Sequence, residues 1–306
     1  MSHTSNILSM KQAKSEIPTY RPRFQALRSL GRRKVALAGV IVILVMILVA
    51  IFAPYLTPYE PNEIDVVNRL NPPGWTSPEG DVHILGTDSL GRDVLTRLVY
   101  GARVSLLVGI TAVLIAGSMG VFLGLVSGYF GGWLDAVIMR LADIQFAFPF
   151  ILLAIAVLAV MGPGLGNLIL ILGLNGWVRY GRITRSQVLA FREEDFVLAA
   201  HSIGSGSRRI IFQHILPNTW GPIIVIASFM VASTIIAEAA LSFLGLGVPP
   251  GIPSWGTMLA DGRDYMERAP WLSIYAGLAI SIVVLSINVV GDWIRDFLDP
   301  NMKNIM

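Results

Sequence analysis

The chain has 306 residues, of which 54% are hydrophobic and only 14% charged, with a mean hydropathy of +0.65 and a net charge of +3. An ordinary soluble domain carries roughly 25% charged residues, so this composition excludes one and points to an all-α polytopic membrane protein. The small basic excess fits arginines at a membrane face better than a nucleic-acid surface.

Other classes fall away on residue types. There is no cysteine, which excludes disulfides, thiolate metal sites and a cysteine nucleophile. None of the four lysines, Lys11, Lys14, Lys34 and Lys303, sits in a glycine-rich phosphate-binding loop. If ATP drives this chain, another subunit binds it. No Ser-His-Asp order, zinc-protease motif or paired catalytic carboxylates appear, so an enzyme is not expected. Nor is a metal site, because His201 and His214 lie thirteen apart with no third ligand nearby.

Residues 1–34 carry eight basic residues against one acid, Glu16, and form a cytoplasmic N-terminal segment by the positive-inside rule. Within them, residues 24–34 read either as a short interfacial helix with Phe24, Leu27 and Leu30 on one stripe, or as a plain basic anchor. The first apolar run, 35–53, is long enough for a retained span rather than a signal peptide. The segment 54–102 is extracytoplasmic, since residues 57–100 hold seven acids against three arginines. In it, Asp88 is a candidate cap for the following helix, and Asp93 and Arg97 have the i, i+4 spacing of a helical pair.

Five more spans are predicted at about 103–125, 138–160, 165–181, 221–243 and 271–291, giving six in all and returning the C-terminal tail 292–306 to the cytoplasm. The five-span core, with its loop, is 103–291. The second span carries a ladder of small residues, Ala112, Ala116, Gly120, Gly124 and Gly128, which lets another helix approach closely. On the third span, Arg140 and Asp143 are spaced to pair with each other. The fourth is interrupted by Asn175, Arg179 and Arg182.

Residues 179–217 are polar, with six arginines and three acids, and the loop 182–220 falls on the cytoplasmic side. A helix is predicted over 196–203 with Asp195 as N-cap, ended by Gly204 at positive φ. Ser205 or Ser207 would cap a second helix over 208–215, which Leu216 and Pro217 would stop. Ala199 and Ala200, with almost no side chains, would let a partner press close to the backbone. In the fifth span Glu238, which follows Ser233 and Thr234, is a carboxylate at membrane depth, either on a translocation path or a structural group. The proline-stiffened loop around Trp255 reads as an interfacial anchor or a gate.

The run Ala199-Ala200-His201-Ser202-Ile203-Gly204, with Leu216-Pro217 after it, resembles the EAA loop of binding-protein-dependent ABC importer permeases. LGTDSLGRDVLTRLVYGARVSLLVG (85–109), GYFGGWLDAVIMRLADIQFAFP (128–149), EAALSFLGLGVPPGIPSWGTML (238–259) and NVVGDWIRDFLDP (288–300) are similar to the C-type subunit of the dipeptide/oligopeptide/nickel permease family. The resemblance covers about 32–300.

It implies a type I importer (MetI-like) fold with both termini cytoplasmic, a related B-type permease as partner, two cytoplasmic ATPases holding ATP and Mg, and an extracytoplasmic substrate-binding protein. This chain would bind no cofactor itself. It further implies that Ala199, Ala200, Gly204, Ser205, Arg208, His214, Leu216 and Pro217 form the ATPase-coupling joint, with Glu238, Ser233 and Asn175 as translocation-path candidates. Two positions depart from the motif: Leu198 stands where the family has glutamate, and His214 where it has isoleucine. Docking would then rest on shape and on Gly204 rather than on a glutamate salt bridge. The expected cargo is a di- or oligopeptide; nickel chelates, glutathione, opines and oligosaccharides are the alternatives. A stand-alone channel or secondary transporter is the reading from a different class.

Overall fold

Backbone N–H and C=O groups find no partner in hydrocarbon, and the chain answers this by running almost wholly in helices. A computed structural model describes residues 30–31, 33–249 and 251–298. The possible interfacial helix at 24–34 and the end of the C-terminal tail lie largely outside them.

Helix α1 spans Lys34–Leu56. A loop follows with a 3₁₀ turn at Val66–Asn68 and a two-stranded antiparallel ribbon, β1 (Trp75–Thr76) and β2 (Val82–His83), in which Trp75 pairs with His83. Next come α2 (Val94–Phe130), α3 (Gly132–Ala147), α4 (Phe150–Met161) and α5 (Leu165–Arg192). The short helix α6 (Asp195–Ser202) leads to α7 (Ser207–Arg209), a π-helical stretch at Ile210–Ile215, and α8 (Leu216–Phe243). The chain closes with α9 (Trp255–Arg263) and α10 (Trp271–Leu298).

Among the described residues four helices are long and apolar enough to cross a membrane: α1, α2, the continuous Ser207–Phe243 and α10. The sequence predicts six spans. The third is not one straight helix, because α3 and α4 meet at a 90° bend. Pro149 lacks an N–H and forces Phe148 into extended backbone (φ −98°, ψ 132°), which ends α3. Counting the bent pair as one span gives five. The fourth predicted span lies in α5, where Arg179, Arg182 and Arg185 break the apolar run.

The helices α2 and α5 pack along much of their length, with the small-residue ladder between them. A Cβ on Gly124 would sit 2.6 Å from the Gly181 carbonyl oxygen, and one on Gly128 would sit 2.7 Å from Val188 Cβ. Gly120 likewise faces the Trp177 carbonyl and Tyr180. The approach is two-sided, since a Cβ on Gly176 of α5 would meet Ala116 Cβ at 2.6 Å. Ala112 and Ala116 are buried. Backbone this close leaves no room for side chains, which is how helices associate where no water is available to drive them together.

Two ion pairs fix α3 on α5. Arg185 grips Asp135 with two parallel bonds of 2.6 Å, and Arg182 meets Asp143 at 2.6 Å. The expected Arg140–Asp143 pair does not form. Asp143 instead takes its partner from the neighbouring helix α5.

At the start of α2 the N-cap is Asp93, not Asp88: its carboxylate accepts from Thr96 N (2.8 Å) and Thr96 Oγ1 (2.8 Å). His83 Nδ1 contacts the other Asp93 oxygen at 2.9 Å. Arg97 turns from Asp93 to Asp88 (2.7 Å) and Asp261 of α9 (3.0 Å). Arg92 spans the same two carboxylates at 2.7 and 3.1 Å. Asp88 also accepts the backbone N–H groups of Leu90 and Arg92. Four alternating charges thus bind the 57–93 loop, α2 and α9. Burial pushes the Asp261 carboxyl above its ordinary range, opposed by Arg92.

Candidate coupling surface and translocation-path residues

Helix α6 begins one residue earlier than the capping rule predicts. Glu194 is the N-cap, with extended backbone and no side-chain bond, and Asp195 sits inside the first turn, where its charge still favours the helix dipole. The helix ends in a Schellman turn. Gly204 has φ +79°, its N–H donates to the His201 carbonyl (2.9 Å), and Ser205 N–H donates to the Ala200 carbonyl (3.0 Å). That pairing needs a left-handed residue at its centre, which glycine adopts without Cβ strain. A Cβ built on Gly204 meets nothing within 4 Å, so the glycine serves the backbone and is not packed by the fold.

After Gly206 the chain re-enters helix without a side-chain cap; neither Ser205 nor Ser207 supplies one. Nor do Leu216 and Pro217 stop it. The helix widens to π geometry over Ile210–Ile215, with Leu216 N–H reaching back to the Ile211 carbonyl, and then runs on as α8. Pro217 cannot donate to the carbonyl four residues back and its ring crowds that carbonyl. A wider turn just before it relieves the clash, so the helix is deformed rather than ended.

The α6–α7 hairpin sits on an apolar seat. Val197, Ala200, Ile210, Ile211 and Ile215 are buried against Leu125 of α2 and Val188 of α5. Each large aliphatic side chain drawn from water into such a seat is worth about 1.5–3 kcal/mol. Beside it, Tyr129 of α2 stacks on His201 with rings 9° from parallel, its hydroxyl 3.3 Å from Nε2. Of the two alanines, Ala200 faces this seat and only Ala199 faces outward.

The outward face carries Leu198, Ala199, Ile203, Gly204, Arg208 and Phe212, all exposed, with Ile203 82% exposed. A groove of about 610 Å³ runs beside it, lined by Gly206, Arg208, Arg209, Phe212 and Gln213. Ser205 is half-buried at the turn, and Pro217 is exposed. His214 is half-buried, its carbonyl accepting from Asn218 Nδ2 at 2.6 Å. Apolar side chains, two arginines and small residues together make a surface suited to another protein.

The path candidates do not converge on one site. Glu238 is fully buried and accepts from Ser105 Oγ of α2 (3.0 Å) and Ser242 Oγ (2.8 Å). Ser233 faces outward and donates to its own helix at the Met230 carbonyl (3.1 Å). Asn175 is half-buried on α5, and its carbonyl accepts from Gln145 Nε2 of α3 (3.0 Å). The loop tryptophan is neither an interfacial anchor nor exposed. Trp255 is buried, donating from Nε1 to the Leu98 carbonyl (3.0 Å), with its ring against Gly101 of α2. Sequence reading missed the Asp88–Arg92–Arg97–Asp261 lattice because Asp261 lies 164 residues from Arg97.

The family described as binding-protein-dependent transport system inner membrane component matches residues 120–304, and the N-terminal TM domain of oligopeptide transport permease C matches 22–73. The dipeptide transport system permease protein of Alkalihalophilus pseudofirmus is 47% identical over 283 residues, 92% of this chain and 91% of that protein. The di/tripeptide transport system permease protein of Pseudomonas aeruginosa is 44% identical, covering 90% and 91%. The glutathione transport system permease protein of Pectobacterium atrosepticum is 42% identical, covering 89% of each. Among solved structures, the inward-facing MetNI methionine ABC transporter matches with a TM-score of 0.52 at 17% identity, over 66% of this chain and 96% of that one. An amino acid ABC transporter gives 0.53 at 15% identity, over 66% and 94%, and both show the same permease fold. With these matches and its apolar helices, the chain is a multi-pass inner membrane protein and belongs to the family of binding-protein-dependent transport system inner membrane components.

Proposed function

We propose that this chain is the translocation subunit of an ATP-driven importer of short peptides. It carries no ATP site of its own and works with a related B-type permease, two cytoplasmic ATPases that hold ATP and Mg, and an extracytoplasmic substrate-binding protein. The observation that carries the reading is the high identity, over nine-tenths of the chain, to permeases named for dipeptide and di/tripeptide transport. The exposed face of the α6–α7 hairpin supports the ATPase contact. Leu198, Ala199, Gly204, Ile203 and Arg208 are outward-facing there without needing a glutamate at position 198.

Mechanically, ATP-driven closure of the two ATPases would move the hairpin, and its buried seat would pass the motion to α2, α5 and α8. Selectivity would rest mainly with the binding protein, since cargo must leave the path easily. The relative named for glutathione transport keeps that substrate as an alternative.

The test is co-purification in mild detergent of the chain with the ATPases and the binding protein encoded beside it, followed by peptide uptake in proteoliposomes. Wild type should bring down the ATPase and import peptide, and Gly204→Trp should keep the fold but lose at least tenfold in uptake per ATP hydrolysed. A wild-type chain that moves peptide without any ATPase would instead establish a stand-alone transporter.

A further inference from the structure

Glu238 is a carboxylate with no exposed surface and no cationic partner among the described residues. Burying an ionisable group is costly unless every oxygen is satisfied, and here serine hydroxyls alone satisfy it. Ser105 comes from α2, twelve residues into that helix, and Ser242 from the next turn of Glu238's own helix, α8. The carboxylate therefore ties the end of α8 to α2.

The chain between α8 and α9 folds back over this point. Val248 N–H donates to Ser242 Oγ (3.3 Å), the same hydroxyl that donates to Glu238. Gly247 presses on Ser242, and a Cβ on Gly256 would sit 2.7 Å from Ala239 Cα. The Ser254 hydroxyl accepts from Thr257 N (3.2 Å), and Trp255 locks to the Leu98 carbonyl next door. The fold-back segment is thus held on α2 through Trp255 and on α8 through Ser242, whose hydroxyl is itself fixed by Glu238.

We propose that Glu238 is a positioning residue that, through Ser242, holds residues 244–249 on the end of α8 and ties that end to α2, so that segment and helices move as one body. It would act through Ser105 and Ser242 and would not touch cargo. For the transport consequence the inference rests on the importer reading, in which this end opens and closes. A segment pinned in this way cannot swing independently, so access would change by movement of the helices beneath it.

The test uses hydrogen exchange on the full-length chain in detergent, which needs no ATP, partner or peptide. In Glu238→Ala the Val248 amide and its neighbours at 244–248 should exchange at least tenfold faster than in wild type, with α2 and α5 unchanged. Glu238→Gln keeps an acceptor oxygen of the same reach and should restore exchange to within about threefold of wild type. Unchanged exchange in Glu238→Ala overturns the proposal. So does a loss of protection spread equally through α2 and α5, which marks general unfolding, and so does a Gln variant as fast as Ala. In the assembled transporter, Glu238→Ala should retain the ATPases yet lose uptake, and Glu238→Gln should recover it. Failure of wild type to import peptide would sink the importer reading and leave the exchange result standing.

Discussion

The two ends of α2, a helix of 37 residues and so roughly 55 Å long at 1.5 Å per residue, are built in opposite ways. At the Asp93 end, buried polar groups are answered within the chain: Asp88 by Arg92 and Arg97, which also reach the half-exposed Asp261, Glu238 by serines, Trp255 by the Leu98 carbonyl. At the Phe130 end an apolar seat holds a hairpin whose other face points Leu198, Ile203, Phe212 and two arginines outward. One end is closed on itself, and the other offers a face for something else to complete. The contrast separates residues that should matter to the isolated chain from residues that should matter only when a partner is present.

The sharpest way to break that contrast is Asp88→Asn. It leaves Arg92 and Arg97 with only the half-exposed Asp261, and removing one side of a buried pair costs about 3–5 kcal/mol. Thermal unfolding in detergent should show a large fall in Tm and a lower folded yield; an unchanged Tm would mean the lattice is idle. Next is Gly124→Leu. The added side chain has no space against the Gly181 carbonyl, so overpacking should cost about 1–3 kcal/mol and part α2 from α5, read by Tm and by cross-linking between them.

At the hairpin end effects on the isolated chain should be smaller. Gly204→Ala places a Cβ at φ +79° in open space and should cost about 1–2 kcal/mol from backbone strain alone. Gly206→Ala, at φ −69° with nothing within 4 Å, should move Tm by no more than about 0.5 kcal/mol equivalent. If the two glycine variants behave alike, the Schellman turn is not what shapes this surface.

What could be read from the sequence was local. The glycine turn after α6 announced itself because Gly204 and its serines punctuate a helical run, and the same holds for the small residues every four positions on α2. The bend at Phe148–Pro149 carried a local signal too, in the extended preference of a residue before proline, but the apolar run around it reads as one continuous span. Pro217 misled in the other direction: proline is a breaker only where the helix cannot widen to receive it. Asp143 and Arg97 chose distant partners over their helical neighbours, a choice set by packing that no spacing rule contains. The Ser105–Glu238 bond belongs to the same class, since the two residues lie 133 apart.

The unbroken helix Ser207–Phe243 has a mechanical meaning beyond its role as a span. It is one rod of 37 residues, roughly 55 Å long, with the exposed arginines near one tip and the Glu238 anchorage near the other. A tilt of about 5° about either tip swings the opposite one by roughly 5 Å at that length. Covalent backbone therefore joins the two ends directly, and torque applied at Arg208 arrives at Ser242 through peptide bonds without being relayed from one side-chain contact to the next. The π turn at Ile210–Ile215 and Pro222 within α8 are compliant points in that rod.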